Sequence, residues 1–259
     1  MILIQHLKEW LPVIKYSSED IVFAAGSLIE GMGNVYSDID IYVICSDIPK
    51  NISHPEYKVD MVKHNDNIID IDYVLLSDFE LLISRLLMVT EDNGVGILTG
   101  KEKRLLHRFL NGEILVNENK YRHIYELINY DQFIMTMVQE LEIEYRDLRE
   151  DLLGNLADNR LQTAYINALS LLKLSIKLTL LTLGESNPSD KWRYEKLKKL
   201  SIEDYNAYWS IQITPIESIE EVKLISDWLE ARHLLIYSNI EIYLPLNRRG
   251  KPYDGHGLY

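Results

Sequence analysis

Apolar positions along the 259-residue chain follow two different periods. From Ile21 to about Leu76 they come in short runs separated by turn residues. Ile21 to Ala25 ends at Gly26. Ile39 to Cys45 (I-D-I-Y-V-I-C) lies between Ser37-Asp38 and Pro49, and Ile68 to Leu76 (I-I-D-I-D-Y-V-L-L) is a third run. Their β-branched content and bounding residues predict half-buried strands, and Tyr57 to Val62 predicts a short edge strand. Before Ile21, Trp10-Leu11 and Val13-Ile14 share one side of a helix that Pro12 weakens.

After Ser77-Asp78 the period becomes helical. Ser77 and Glu80 have capping-box spacing ahead of Leu81, Leu82 and Leu86. Asp92-Asn93-Gly94 breaks the chain, and a second helix is expected from Lys101 to Leu110, stopping at Asn111-Gly112. Long helices follow over 121–152 and over 160–183, the latter closed by Gly184 and Pro188, with shorter ones near 191–200 and 217–237. The glycine-rich tail from Asn247 to Tyr259 predicts irregular structure. Strands followed by helices read as an α/β (α+β) chain: a small mixed sheet, helices on one of its faces, then an α-helical bundle. The boundary is expected within 112–120, giving domains at 1–115 and 116–259. Length supports this division, since about 150 residues per domain implies roughly two.

Composition narrows the chemistry. Apolar residues at 47% and charged residues at 26% are ordinary for a packed domain. Cys45 is the single cysteine, which removes disulfide frameworks and cysteine-based zinc or iron–sulfur sites. Twenty-seven basic against 40 acidic residues give a net charge of −13, the wrong sign for extended nucleic-acid binding. No secretory pattern opens the chain. The apolar stretch Ala164 to Leu183 carries Lys173 and Lys177, which would cost roughly 5–7 kcal/mol in a bilayer. No membrane association is expected, and the expected location is the cytoplasm.

The informative segment runs from Ala24 to Ile44. A strand ends at Gly26-Ser27, where the missing Cβ lets a ligand approach the backbone. A short helix starting there would offer its N-terminus to an anion. A ten-residue spacer leads to a second strand bearing Asp38 and Asp40. Period two places both carboxylates on one face, about 7 Å apart, and turns Ile39, Ile41 and Val43 into the core. Such a pair calls for a cation, and magnesium, which takes one or two carboxylates together with phosphate oxygens, suits it. Asp70 and Asp72 share a face of another strand. If that strand neighbours the first, the acids converge beside the Gly-Ser turn, as a two-metal in-line displacement at phosphorus requires.

Gly26-Ser27, the spacer, Asp38-Ile39-Asp40 and a later strand carboxylate resemble the DNA polymerase β-like nucleotidyltransferase superfamily over roughly residues 20–115, nearest its small-molecule and minimal members. The resemblance implies that Gly26 and Ser27 hold the triphosphate of an NTP. It implies that Asp38 and Asp40 bind two Mg2+ ions, and that Asp70 or Asp72 completes the site and helps deprotonate the attacking hydroxyl. Asp70 is preferred as the third metal ligand, with Asp72 the near-equal alternative on the same strand face.

In the helical half, Asn167, Ser170, Lys173 and Lys177 form one polar stripe at helical spacing. Lys173 and Lys177 fit a triphosphate contact or a solvated face equally. Lys191, in Asp190-Lys191-Trp192-Arg193, resembles an element of several small-molecule nucleotidyltransferases. Arg104, His107 and Arg108 on one short helix read as surface, with a place near the phosphates as the alternative; Glu140, Glu142 and Glu144 read as a solvated face, although one of them could act as general base for the acceptor or attract a cationic acceptor. Gly96 to Lys101 fails as a phosphate-binding loop, and the histidines lack zinc spacing.

The expectation is transfer of a nucleoside monophosphate, with ATP among the candidate donors. The transfer goes to a hydroxyl of a small molecule such as an antibiotic or biosynthetic intermediate, in a cleft between the two domains. The alternatives are transfer to a protein or tRNA, and a non-catalytic NTP-binding sensor. The oligomeric state is left open, a homodimer included.

Overall fold

The structure is a computed structural model that describes residues 7–64, 67–90, 94–187 and 189–246. The expected break at Asp92-Asn93, the stop at Pro188 and the tail from Asn247 lie outside the described residues.

The chain is α+β: a mixed five-stranded sheet followed by helices. The strands are β1 (Ile21–Ala25), β2 (Ile39–Cys45), β3 (Val59–His64), β4 (Asn67–Leu75) and β5 (Glu113–Val116), in the order β3-β4-β2-β1-β5. β2 and β4 are parallel, and the other neighbours are antiparallel. Helices α1 (Leu76–Leu87), α2 (Gly100–Leu110) and α3 (Glu118–Leu127) complete this part. Leu7–Ile14 contributes only short helical turns, a 3-10 turn at Leu11–Val13 among them, with Pro12 at its start, rather than the continuous helix expected.

Both faces of the sheet are covered. Ile39, Ile41, Val43, Ile69 and Ile71 join Leu7, Trp10 and Ile14 in one apolar layer. On the opposite face Phe23 stacks on Tyr42 at 5.1 Å and meets Phe109 edge-on at 5.4 Å, while Phe109 lies 4.9 Å from Phe79 and 4.4 Å from Tyr121. Burying each such ring contributes about 2–3 kcal/mol, so this aromatic layer fixes α2 against the sheet. Every residue of β1 is buried, whereas in β2 only Asp40 is not.

Cα packing divides the chain into two compact units. The first takes residues up to Met88 together with Leu98–Asn129, and the second takes Val89–Ile97 and the chain from Tyr130 onward. The second unit contains α4 (Tyr130–Ala157), α5 (Leu161–Thr182), α6 (Arg193–Leu200), α7 (Ile202–Ile213) and α8 (Ile219–Leu246). α4 and α8 pack on α5. Among the described residues α5 alone is long and apolar enough to cross a membrane, and 61% of its most apolar stretch is buried inside the protein. Its polar core residues are satisfied: the Tyr208 hydroxyl bonds Ser175 Oγ and Thr179 Oγ1, each at 2.7 Å. Arg232 lies over the Tyr208 ring and pairs with Asp204.

Candidate active site

The site begins where β1 ends. Gly26 has φ +87°, and a Cβ built there would stand 1.9 Å from Asp40 Oδ2. Glycine is therefore required twice, by backbone conformation and by the carboxylate filling its side-chain space. The expected helix after Gly26 is instead a run of turns. The Glu30 amide donates to the Gly26 carbonyl at 3.0 Å, and the Met32 and Gly33 amides both donate to the Ser27 carbonyl. Gly31, at φ +71°, helps end the helical geometry after one turn. An opening helical turn still leaves the amides of its first residues without acceptors inside the turn, so the anion-binding character survives in a shorter element.

The chain then re-enters the sheet through a compact turn. The Asn34 amide donates to Ser37 Oγ at 2.9 Å and the Tyr36 amide to Asn34 Oδ1 at 2.9 Å. This delivers Asp38, exposed, to the start of β2, with Asp40 two residues on. In the sheet, Asp40 stands opposite Ala25 on β1 and opposite Asp70 on β4, and Asp72 stands opposite Tyr42. Because β2 and β4 are parallel and in this register, Asp38, Asp40, Asp70 and Asp72 share one face. It is the face that carries Phe23 and Tyr42.

The electrostatics of this group are strained. Burial pushes Asp40 above the ordinary carboxylate range, Arg108 pulls it partly back, and Asp72 and Asp38 push it up again. Burial, then Asp38 and Asp40, raise Asp70. Burial and Asp70 raise Asp72, against Arg104 and Lys101. Asp70 Oδ1 is buried with no hydrogen-bond partner. An oxygen-only donor set, mutually repelling carboxylates and an orphaned buried oxygen fit a hard divalent cation such as magnesium. Cys45, the one thiol, is buried, and desolvation pushes it up to about 11, which leaves it inert at neutral pH.

No protein-family model matches the chain, and no curated protein matches its sequence. Its structure is similar to that of a nucleotidyltransferase-like protein from Exiguobacterium sibiricum, with a TM-score of 0.53 and 15% identity over 97% of this chain and 83% of that one. The fold is nucleotidyltransferase-like.

Within this nucleotidyltransferase-like fold, Gly26, Ser27, Asp38, Asp40, Asp70 and Asp72 lie together in the first unit. The helical-half candidates belong to the second. There Lys173 is exposed on α5, Lys177 pairs with Asp190 at 3.0 Å, and Lys191 lies 4.9 Å over the Trp192 ring.

Of the residues read as surface, Arg108 and Arg104 lie beside the acids. Arg108 Nη1 lies 3.3 Å from Asp40 Oδ1, with its guanidinium 5.3 Å from the Tyr42 ring centre. Arg104 and Lys101 act on Asp72 at longer range. His107 is buried, and its Nε2 meets Glu30 Oε1 at 3.2 Å, which ties α2 to the Gly26–Glu30 turn. The spacing of Lys101, Arg104 and Arg108 puts three cations on one helical face, a signal visible in sequence. That this face looks at the aspartates follows from the aromatic packing of Phe109.

Proposed function

We propose that the protein is a magnesium-dependent nucleotidyltransferase that moves a nucleoside monophosphate from an NTP to a hydroxyl of a small-molecule acceptor, releasing pyrophosphate. The observation that carries this reading is the register that sets Asp40 opposite Asp70 and beside Gly26, with Asp38 on the same face. The nucleotidyltransferase-like fold supports it at the level of architecture.

In this reading Asp38, Asp40 and Asp70 hold two magnesium ions, and the turn at Gly26-Ser27 presents amides to the β- and γ-phosphates. Bound magnesium would supply charge neutralisation on the phosphate oxygens. Asp70 is preferred over Asp72 as the third acid because it stands opposite Asp40 in the β2–β4 register and its buried Oδ1 has no hydrogen-bond partner. Asp72 also acts on Asp40, but has Arg104 and Lys101 nearby. The acceptor oxygen forms a bond to the α-phosphorus as the bond to the bridging oxygen of the β-phosphate breaks. Pyrophosphate takes that electron pair, and the hydroxyl proton passes to the Asp70 carboxylate. We assign acceptor binding to the helical unit.

Incubating the protein with each α-labelled NTP, magnesium and a panel of hydroxyl compounds tests the assignment. Label in a small-molecule product, with stoichiometric pyrophosphate and loss of more than about 100-fold in Asp40→Ala, is the expected result. Label confined to a protein band or to RNA would overturn the small-molecule acceptor. Turnover retained in Asp40→Ala would overturn the site.

A further inference from the structure

Arg108 occupies a position that the nucleotidyl-transfer reading leaves without a role. It comes from α2, yet its guanidinium sits inside the aspartate group, in contact with Asp40 Oδ1 at 3.3 Å, and both side chains are only 21% exposed. It cannot withdraw with its helix. The next residue, Phe109, is fully buried among Phe23, Phe79 and Tyr121, and the preceding one, His107, is buried against Glu30. The Tyr42 ring, two residues along from Asp40, lies beneath the guanidinium. The side chain is thus held over the strand by a ring face and a carboxylate together.

A divalent ion on Asp40 and a guanidinium 3.3 Å from its Oδ1 repel each other, so each weakens the other's hold on the carboxylate. We propose, resting on the reading in which Asp38, Asp40 and Asp70 bind divalent ions, that Arg108 is a positioning residue that hands over. Without metal it neutralises Asp40. An arriving divalent ion displaces it, and the released guanidinium turns to triphosphate oxygens. Its planar fork of donors matches phosphate oxygens at least as well as the carboxylate it leaves. The consequence is ordered loading: bare metal is resisted, and metal that comes with an anionic triphosphate is accepted. Arg104 and Lys101, exposed on the same helical face and close enough to act on Asp72, add positive charge beside the acids.

The test compares wild type with Arg108→Gln and with Arg108→Met, which keeps the stem over Tyr42. Arg122→Gln serves as control, because it removes the same charge from an exposed pair with Glu118 on α3. Mn2+ binding to nucleotide-free protein, read from the spectrum of free Mn2+, should tighten about three- to tenfold in both Arg108 variants and not in Arg122→Gln. Binding of magnesium tripolyphosphate should weaken about tenfold in the same variants. That opposition is one a merely structural role for Arg108 would not give. Unchanged or weaker Mn2+ binding in both Arg108 variants, or equal tightening in Arg122→Gln, overturns the proposal. So does tripolyphosphate binding that is undiminished, or absent from wild type. Mn2+ bound by none of the proteins would overturn the metal-site reading beneath it as well.

Discussion

Asp70 carries two burdens at once, a buried oxygen without a partner and like charges at Asp38 and Asp40. Its folded-state pKa is raised above the ordinary carboxylate value of 3.8. A carboxyl shifted upward favours the fold while protonated, and that contribution is lost as pH rises from the ordinary value through the raised one. In chelator, Asp70→Asn should therefore be more stable than wild type near neutral pH, and the difference should shrink toward zero near pH 4. Thermal unfolding of both proteins from pH 4 to 7 checks this. Magnesium should close the neutral-pH gap by stabilising wild type alone. A gap independent of pH would mean that Asp70 is not strained by its ionisation.

At the scale of elements, α2 does more than the sequence pattern suggests. Thr99 caps it: Thr99 Oγ accepts from the Glu102 amide at 3.3 Å, and Glu102 Oε2 accepts from the Thr99 amide at 2.7 Å. Arg85 of α1 pairs with Glu102, joining the two helices. The box expected at Ser77 and Glu80 is not used, because α1 starts at Leu76 straight out of β4 with Leu75 as N-cap. Thr99→Ala should cost about 1 kcal/mol, read as a lower denaturant midpoint with unchanged slope. An unaffected midpoint would show that the aromatic layer alone sets the helix. The three strand runs are legible as short β-branched apolar runs bounded by turn residues; β1 is buried throughout and β2 everywhere but Asp40. β5 was not, since Glu113–Val116 is four residues long and its partner, β1, lies far off in sequence. The break at Ile128-Asn129 between α3 and α4 was also hidden, because Ile124, Leu127 and Ile134 continue the helical spacing across it.

At the scale of the molecule, the order of strand-rich and helix-rich segments was enough to read the α+β class. Period two puts each aspartate pair on one strand face, and the parallel β2–β4 pairing, which the sequence left conditional, brings the two faces side by side. Sequence could not show that cations from α2 meet those aspartates, since that depends on how Phe109 seats the helix between β1 and α3. The same packing lets a chain of net charge −13 concentrate Lys101, Arg104 and Arg108 beside Asp40 and Asp72. Net charge describes the whole surface, and local placement decides what an active site attracts.

Metal binding for an NTP by the aspartates of β2 and β4 is the core of the proposed activity. Titration calorimetry of the four NTPs, with and without magnesium, on wild type and on Asp38→Ala/Asp40→Ala, tests it most directly. Magnesium-dependent binding of at least one NTP by wild type, lost in the double variant, is the expected result. NTP binding that survives the double substitution, or binding of no NTP by wild type, would contradict it.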